Sequence, residues 1–319
     1  MMKKKEKLDI TIKIINWNLD QQLRNCIDSI LETIKNVSYE VFIIDNNSKF
    51  IDFDRIIKDY KEYSQLKFIK NKKNKGGLAS NDIQHLLKGR YLLILGPDTI
   101  VKKNTIKNLV GFMDKTKDAG GASAKLILPD GSQQIFQHRS WDLTMSFYNT
   151  FLGNIIDYFL FNKNKIKSYL SYNINMNELC IVDKCPGACL VIRPELLIND
   201  GYIVDQQFPF FFNEVDMCKR ITDKGYKIYI VPSAEIEHDK WSSYKKANSS
   251  WKNKEFKKAM IKYFRKHFPK KVKIIKIILI ISELNLLFLS PFLVFKKRYR
   301  FNKKNIKTSL EIMGGISKW

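Results

Sequence analysis

A chain of 319 residues with 45% hydrophobic and 13% aromatic side chains can bury a substantial core as one large or two small domains, which excludes a disordered protein. Its formal charge of +24 calls for an anionic partner: nucleic acid, an acidic membrane surface or a phosphorylated small molecule. Part of that excess is lysine in a composition also rich in isoleucine and asparagine, and no RNP-type motif, zinc-finger spacing or recognition helix accompanies it, so nucleic acid is set aside. Five cysteines (Cys26, Cys180, Cys185, Cys189, Cys218) are an odd number, and their spacing is not the C-x-x-C of zinc sites. They read as buried, reduced thiols, although CPGAC at 185–189 has the look of a redox or metal pair, and a cytosolic setting follows.

The basic tail, residues 1–8, runs into strand-like alternation with no apolar h-region of a secretory signal. LDITIKII reads as the first strand. DQQLRNCIDSILETI then places Leu23, Ile27, Ile30, Leu31 and Ile34 on one helical face. YEVFIID is a second strand, FDRIIKDYKEY a helix, LKFIK a third strand, LASNDIQHLLKG a helix, and RYLLILG a fourth strand apolar enough to be covered on both faces. NTIKNLVGFMDKT closes this alternation, which marks an α/β domain with a largely parallel sheet. Beyond about residue 120 the rhythm changes. GGASAKLILPDGSQQ, CIVDKCPGACLVIRPELL and KIYIVPSAEIEHD read as strands, an aromatic-rich stretch runs to about 180, and FFFNEVDMCKRITDKG starts a helix with acidic residues.

Open α/β sheets gather ligands at the carboxyl ends of their parallel strands. There the sequence places NWN (16–18) after the first strand, Asp45, Asn46, Asn47 and Ser48 after the second, and GPD (96–98) after the fourth. Each cluster alone suits an ordinary turn. Together on one rim they describe a site. Asp98 is a hard-oxygen ligand for Mg²⁺ or Mn²⁺ carrying a diphosphate. Glu214, behind the run Phe208 to Phe212, is partly desolvated by that wall and suited to general-base work, while Asp216 orients neighbours. His238 ends a late strand as a structural histidine, a third metal ligand or a contact to a leaving group.

IINWN, IIDNNS, NKKNKGGLASN, YLLILGPDTIV, AKLILPDGS, PGACLVIR, FFNEVDMCKR, GYKIYIVPSAEIEH and YFRKHF occur in the order of similar strings in family 2 glycosyltransferases, and the chain resembles their rhamnosyltransferase-like branch over residues 10 to about 268. The resemblance implies a GT-A fold, an α/β class with a Rossmann-like mixed sheet flanked by helices and a basic helical C-terminal extension. It implies a nucleotide-diphosphate sugar donor, dTDP- or UDP-linked, a divalent cation, and inversion in one displacement. Residue by residue, it makes Asp45 the nucleoside-binding acid with Asn16, Trp17 and Asn47 lining the pocket. It makes Asn74, Gly76 and Gly77 the loop over the nucleotide, Asp98 the metal-coordinating acid, Gly187 and Ala188 the floor under the donor sugar, and Glu214 the base. Two positions depart from the family pattern: Gly96 where relatives carry Asn or Asp, and Asn213-Glu214 where many read Glu-Asp. A catalytically silent glycan- or nucleotide-binding relative is the competing reading.

The expected organisation is a donor half at 9–120, an acceptor half at 121–240 and a basic helical region at 241–319. Residues 274–295 are long enough to span a bilayer, but Lys276, Glu283, Asn285 and Pro291 argue against it. Between KKVK and KKRYR the segment is expected to lie on an anionic membrane surface, with packing on the catalytic domain and spanning as the other placements. A peripheral position on the cytoplasmic face of the cell membrane would suit a glycan or polyprenyl-diphosphate-linked acceptor, which the resemblance favours.

Overall fold

In the computed structural model, which describes residues 7–134, 138–161, 174–239, 249–289 and 303–319, nine strands among those residues form one mixed sheet. In chain order they are β1 (Leu8–Asn16), β2 (Tyr39–Asp45), β3 (Leu66–Lys70), β4 (Gly89–Leu95), β5 (Thr99–Val101), β6 (Ala119–Ile127), β7 (Cys180–Val182), β8 (Cys189–Ile192) and β9 (Lys227–His238). The spatial order is β3-β2-β1-β4-β8-β6-β9-β5, with β7 also paired to β9. β3, β2, β1 and β4 are mutually parallel, and β8 enters antiparallel against β4. The parallel ends of β1, β2 and β4 therefore open on one rim, where the polar clusters follow them.

The apolar run of β4 is divided by strand parity, as a strand covered on both faces requires. Tyr91, Leu93 and Leu95 join Ile10, Ile12, Ile14, Ile43 and the helices α1 (Gln21–Thr33), α2 (Phe53–Asp59) and α3 (Thr105–Lys115) in one core. Leu92 and Ile94 join Leu190, Ile192, Ile228 and Ile230 in the other, with Leu197 from α6 (Glu195–Ile198) and Met217, Cys218 and Ile221 from α7 (Asn213–Asp223). Each such fully buried side chain stabilises by about 1.5–3 kcal/mol. On β1 the alternation leaves Thr11 and Lys13 on the second face, where Glu40 accepts from Thr11 Oγ1 at 2.8 Å and Lys13 Nζ donates to Ser80 Oγ at 3.0 Å.

Two predicted helices differ. FDRIIKDYKEY stops at Asp59, and Tyr60 beyond it donates its hydroxyl to Asp28 at 2.7 Å. LASNDIQHLLKG is replaced by a 3₁₀ helix at Gly76–Ile83, because its polar residues bond elsewhere: Asn81 Oδ1 accepts from Ile203 and Val204 N–H, and its Nδ2 donates to Val204 O at 2.7 Å. β9 continues through Pro232, which falls in a register shift against β6 between Ala124 and Lys125, where a missing N–H removes no ladder bond.

The chain separates into two units. The first comprises Met1–His138, Ile174–Pro209 and Asn213–Lys246 and contains the whole sheet. The second comprises Arg139–Asn173, Phe210–Phe212 and Ala247–Trp319. Its helices are α4 (Leu143–Tyr148), α5 (Phe151–Phe161), α8 (Ser249–His267), α9 (Val272–Leu289) and α10 (Lys303–Ile316). Trp141, Phe212, Phe256 and Tyr263 form its aromatic centre, with Phe212 ring contacts of 4.9 Å to Trp141 and 5.3 Å to Phe256. Of the segment 274–295, residues 290–295 lie outside the described residues; no helix among the described residues is long and apolar enough to cross a membrane.

Candidate active site

Asn16 and Asp45 end their strands side by side, in register. The next residue, Asn46, ties the rim together: its N–H donates to Asn16 O at 2.8 Å, its Nδ2 to Gly76 O at 3.0 Å, and its Oδ1 accepts from Asn71 Nδ2 at 3.0 Å. Asn74 Oδ1 accepts from Gly76 N–H, fixing the glycine loop, and Gly76 has the left-handed φ of 57° that glycine adopts without strain. Asp45 receives Ser48 N–H at 3.0 Å and Ser48 Oγ at 2.5 Å. Asn47 is left-handed at φ 61°, a conformation asparagine tolerates. Asn16 is fully buried and both its amide atoms are unpaired among the described residues, which costs about 1–3 kcal/mol. Trp17 is half-buried beside it.

After β4 the chain turns through Gly96, whose N–H donates to Ala188 O at 2.9 Å. The 96–98 and 187–188 segments are thereby joined. A Cβ on Gly96 would stand 3.0 Å from Asp98 Oδ1 and 3.5 Å from the Ala188 Cα, so the glycine keeps the carboxylate uncrowded. Gly187 is exposed, with open space where its side chain would be. β5 pairs Thr99 with His238, bringing His238 Nε2 to 3.6 Å from Asp98 Oδ1. The other ring nitrogen, Nδ1, lies 2.9 Å from Gln134 Oε1. The Nδ1 contact to Gln134 leaves Nε2 as the ring nitrogen turned toward the carboxylate. A carboxylate and an imidazole nitrogen so placed can share a cation, since 3.6 Å is within the ~4.2 Å that two ligands each about 2.1 Å from one ion can span. Among the described residues no three His, Cys, Asp or Glu side chains gather to hold a metal. The rest of such a shell would come from phosphate and water, as is usual for magnesium.

A profile described as "Glycosyl transferase family 2" matches residues 11–169. The chain belongs to that family. It is similar to the rhamnosyltransferase WbbL of Escherichia coli (strain K12), at 23% identity over 164 residues, 49% of this chain and 56% of the relative. The match thus spans little more than half the length of that curated relative. In three dimensions the chain is similar to GalNAc-T7 in its structure with UDP, GalNAc and Mn²⁺, with a TM-score of 0.60 and 14% identity over 98% of this chain and 56% of that one. It is also similar to residues 1–349 of S. aureus TarS in complex with UDP-GlcNAc, with a TM-score of 0.53 and 14% identity over 97% of this chain and 80% of that one. At such identities the likeness shows a shared GT-A fold.

Within this family 2 member Glu214 is the second residue of α7, half-buried, and Asn213 Oδ1 accepts its N–H at 2.7 Å. Gly77 N–H donates to Pro209 O at 2.6 Å, and a Cβ on Gly77 would collide with the Asn213 amide. Glycine at residue 77 thus lets the 74–77 loop lie against the start of α7 without displacing the Asn213 side chain. Of the phenylalanine run expected to wall Glu214, Phe208 is buried in the first unit, while Phe210, Phe211 and Phe212 pack on Trp251 and Phe256 within the second.

Three residues were given no individual role in the sequence. Asn46 looked like one more turn former, yet is the rim's hydrogen-bonding hub. Lys184 is buried; burial lowers its pKa, and the nearby Glu214 carboxylate pulls it back up. It belongs to the same 184–188 segment whose Ala188 meets Gly96. Arg220 anchors the helix below: its Nε donates to the buried Asp216 at 2.9 Å, and its other nitrogens to Asp200, Tyr202 O and Ile203 O. Cys185, Cys189 and Cys218 are buried free thiols, and burial pushes Cys189 up to about 11 and Cys218 up to about 12, which leaves none of them a nucleophile.

Proposed function

We propose that the protein is an inverting glycosyltransferase that moves a sugar from a UDP- or dTDP-linked donor to a hydroxyl of a glycan or polyprenyl-diphosphate-linked acceptor in cell-surface glycan synthesis. The observation that carries the reading is the facing pair Asp98 and His238 on the same rim as the Asn16–Asp45–Asn46 cluster, polar groups gathered where the parallel strands β1, β2 and β4 end. A polar ligand at that rim would supply partners for the unpaired Asn16 amide. UDP and Mn²⁺ accompany the GalNAc-T7 structure and UDP-GlcNAc the TarS structure, which supports a nucleotide-sugar donor. The likeness to WbbL supports rhamnose as the sugar, and with it a dTDP-linked donor.

In this reading Asp45, Asn16, Trp17 and Asn47 bind the nucleoside, and the Asn74–Gly76–Gly77 loop covers it. Gly187 and Ala188 leave the donor sugar room. Glu214 takes the proton of the acceptor hydroxyl as that oxygen bonds to C1; the bond from C1 to the diphosphate oxygen breaks on the opposite side, and its electron pair leaves with the diphosphate. A divalent cation, Mg²⁺ or Mn²⁺, held by Asp98 and His238 would offset the charge growing on that leaving group.

Thermal unfolding of the protein with UDP- and dTDP-sugars, each with and without Mn²⁺, tests the reading. A donor at about 100 times its dissociation constant stabilises by about 2.7 kcal/mol. Stabilisation that needs both sugar nucleotide and cation, followed by turnover of that donor, is the expected result. No response to any nucleotide sugar would overturn the proposal, and binding without turnover would make the protein a silent nucleotide or glycan binder.

A further inference from the structure

We infer that the outward face of α9 is a docking surface for an anionic lipid bilayer, on which the helix lies flat. The inference goes beyond sugar transfer and stands whether or not that activity is present. Ile274, Ile277, Ile281, Leu284 and Phe288 are exposed, Phe288 to 73%, and their spacing of three and four residues sets them on one side of the helix. Three polar residues face the other way, while Lys273 and Asn285 flank the apolar stripe. Glu283 is buried and paired with Lys257 of α8, Ser282 is buried, and Lys276 Nζ donates to Ser317 O at 3.2 Å. A helix bathed in water buries an apolar face and exposes a polar one; here Ile275 and Leu279 are buried and the exposed side is apolar as well, which is the pattern of a surface made for an apolar medium. On α5, which packs on α9, Tyr158 and Phe159 are exposed too, Phe159 to 76%, adding an aromatic pair of the kind that settles at a headgroup boundary.

Charge identifies the medium. Residues 247–319 hold 19 Lys and Arg against three acids, Glu255, Glu283 and Glu311; that leaves 37 basic and 29 acidic residues for the other 246 positions. Compositional drift would spread the excess evenly, whereas most of it sits on the unit that carries the apolar face. Exposed Lys270, Lys271 and Lys273 stand at the start of that face. A second copy of the chain would bring those lysines against their own kind, whereas an anionic leaflet would attract them. Since no described helix is long and apolar enough to cross a bilayer, the fit is with its surface.

Flotation of the full chain with vesicles of phosphatidylcholine alone, or mixed with an equal part of phosphatidylglycerol, tests the inference. The wild type should float with the anionic vesicles, and Ile277→Ser/Ile281→Ser/Phe288→Ser should cut that partition about tenfold or more with its circular dichroism unchanged. Should the triple variant misfold, the single Phe288→Trp protein replaces it: its emission should move to the blue only with anionic vesicles. Equal flotation of wild type and triple variant, an unmoved tryptophan emission, or indifference to the anionic lipid would overturn the proposal. So would a wild-type dimer, seen by sedimentation equilibrium, that the triple variant converts to monomer without losing vesicle binding.

Discussion

In the sheet unit many polar residues are buried, namely Asn16, Asp45 and Asn46 at strand ends, Lys13 beneath the 3₁₀ helix and Asp216 on the inner side of α7, while exposed apolar residues such as Phe50 and Ile181 lie on separate elements. In the helical unit exposed apolar residues follow one another along a single helix face, from Ile274 to Phe288, while carboxylates such as Glu283 and Asp157 are turned inward. Each departure costs stability in water, so each points to what the region meets. Buried amides and carboxylates at a sheet rim suit a polar ligand; an exposed apolar stripe beside lysines suits a charged apolar boundary.

The contrast can be broken by treating like residues in the two units alike. Arg220→Met should cost about 3–5 kcal/mol in urea unfolding, since it leaves Asp216 in the interior without its guanidinium, whereas Lys254→Met, on an exposed pair with Glu311, should cost under about 1 kcal/mol. Equal costs would erase the distinction. Asp98→Asn should lower turnover about 100-fold or more, and should remove any stabilisation that Mn²⁺ gives the donor complex, read by thermal unfolding with and without the ion. Lys13 gives a pH test. Burial lowers its pKa from 10.5 to about 7, so between those values the unfolded chain binds the extra proton and stability rises with pH, by at most about 1.4 kcal/mol per unit. Below about pH 7 that contribution is gone. Lys13→Met should flatten the rise in unfolding free energy measured from pH 7.5 to 9.5. Smallest of all, Gly187→Ala should change stability by no more than about 0.5 kcal/mol, since its Cβ enters open space, while raising the donor KM.

Strand parity and helical spacing made the parallel half of the sheet legible, because β1, β2 and β4 are long, apolar and covered as their alternation requires. The 3₁₀ helix at Gly76–Ile83 was not, because what decides it is Asn81 bonding to Ile203 and Val204, more than 120 positions away. The same distance hid Lys184 and Arg220: in a lysine-rich chain neither stands out until the fold buries it. Gly96 read as a missing ligand oxygen; in place it is the residue that lets Asp98, Ala188 and β5 come together. The phenylalanine run was visible, but its division between the units could not be read from residues adjacent in sequence.

The role of Glu214 is the point on which the chemistry turns, and Glu214→Gln separates binding from reaction. Donor affinity, by calorimetry with Mn²⁺, should stay near the wild-type value while turnover of the same donor falls about 10²- to 10⁴-fold. Wild-type turnover in that variant would contradict it.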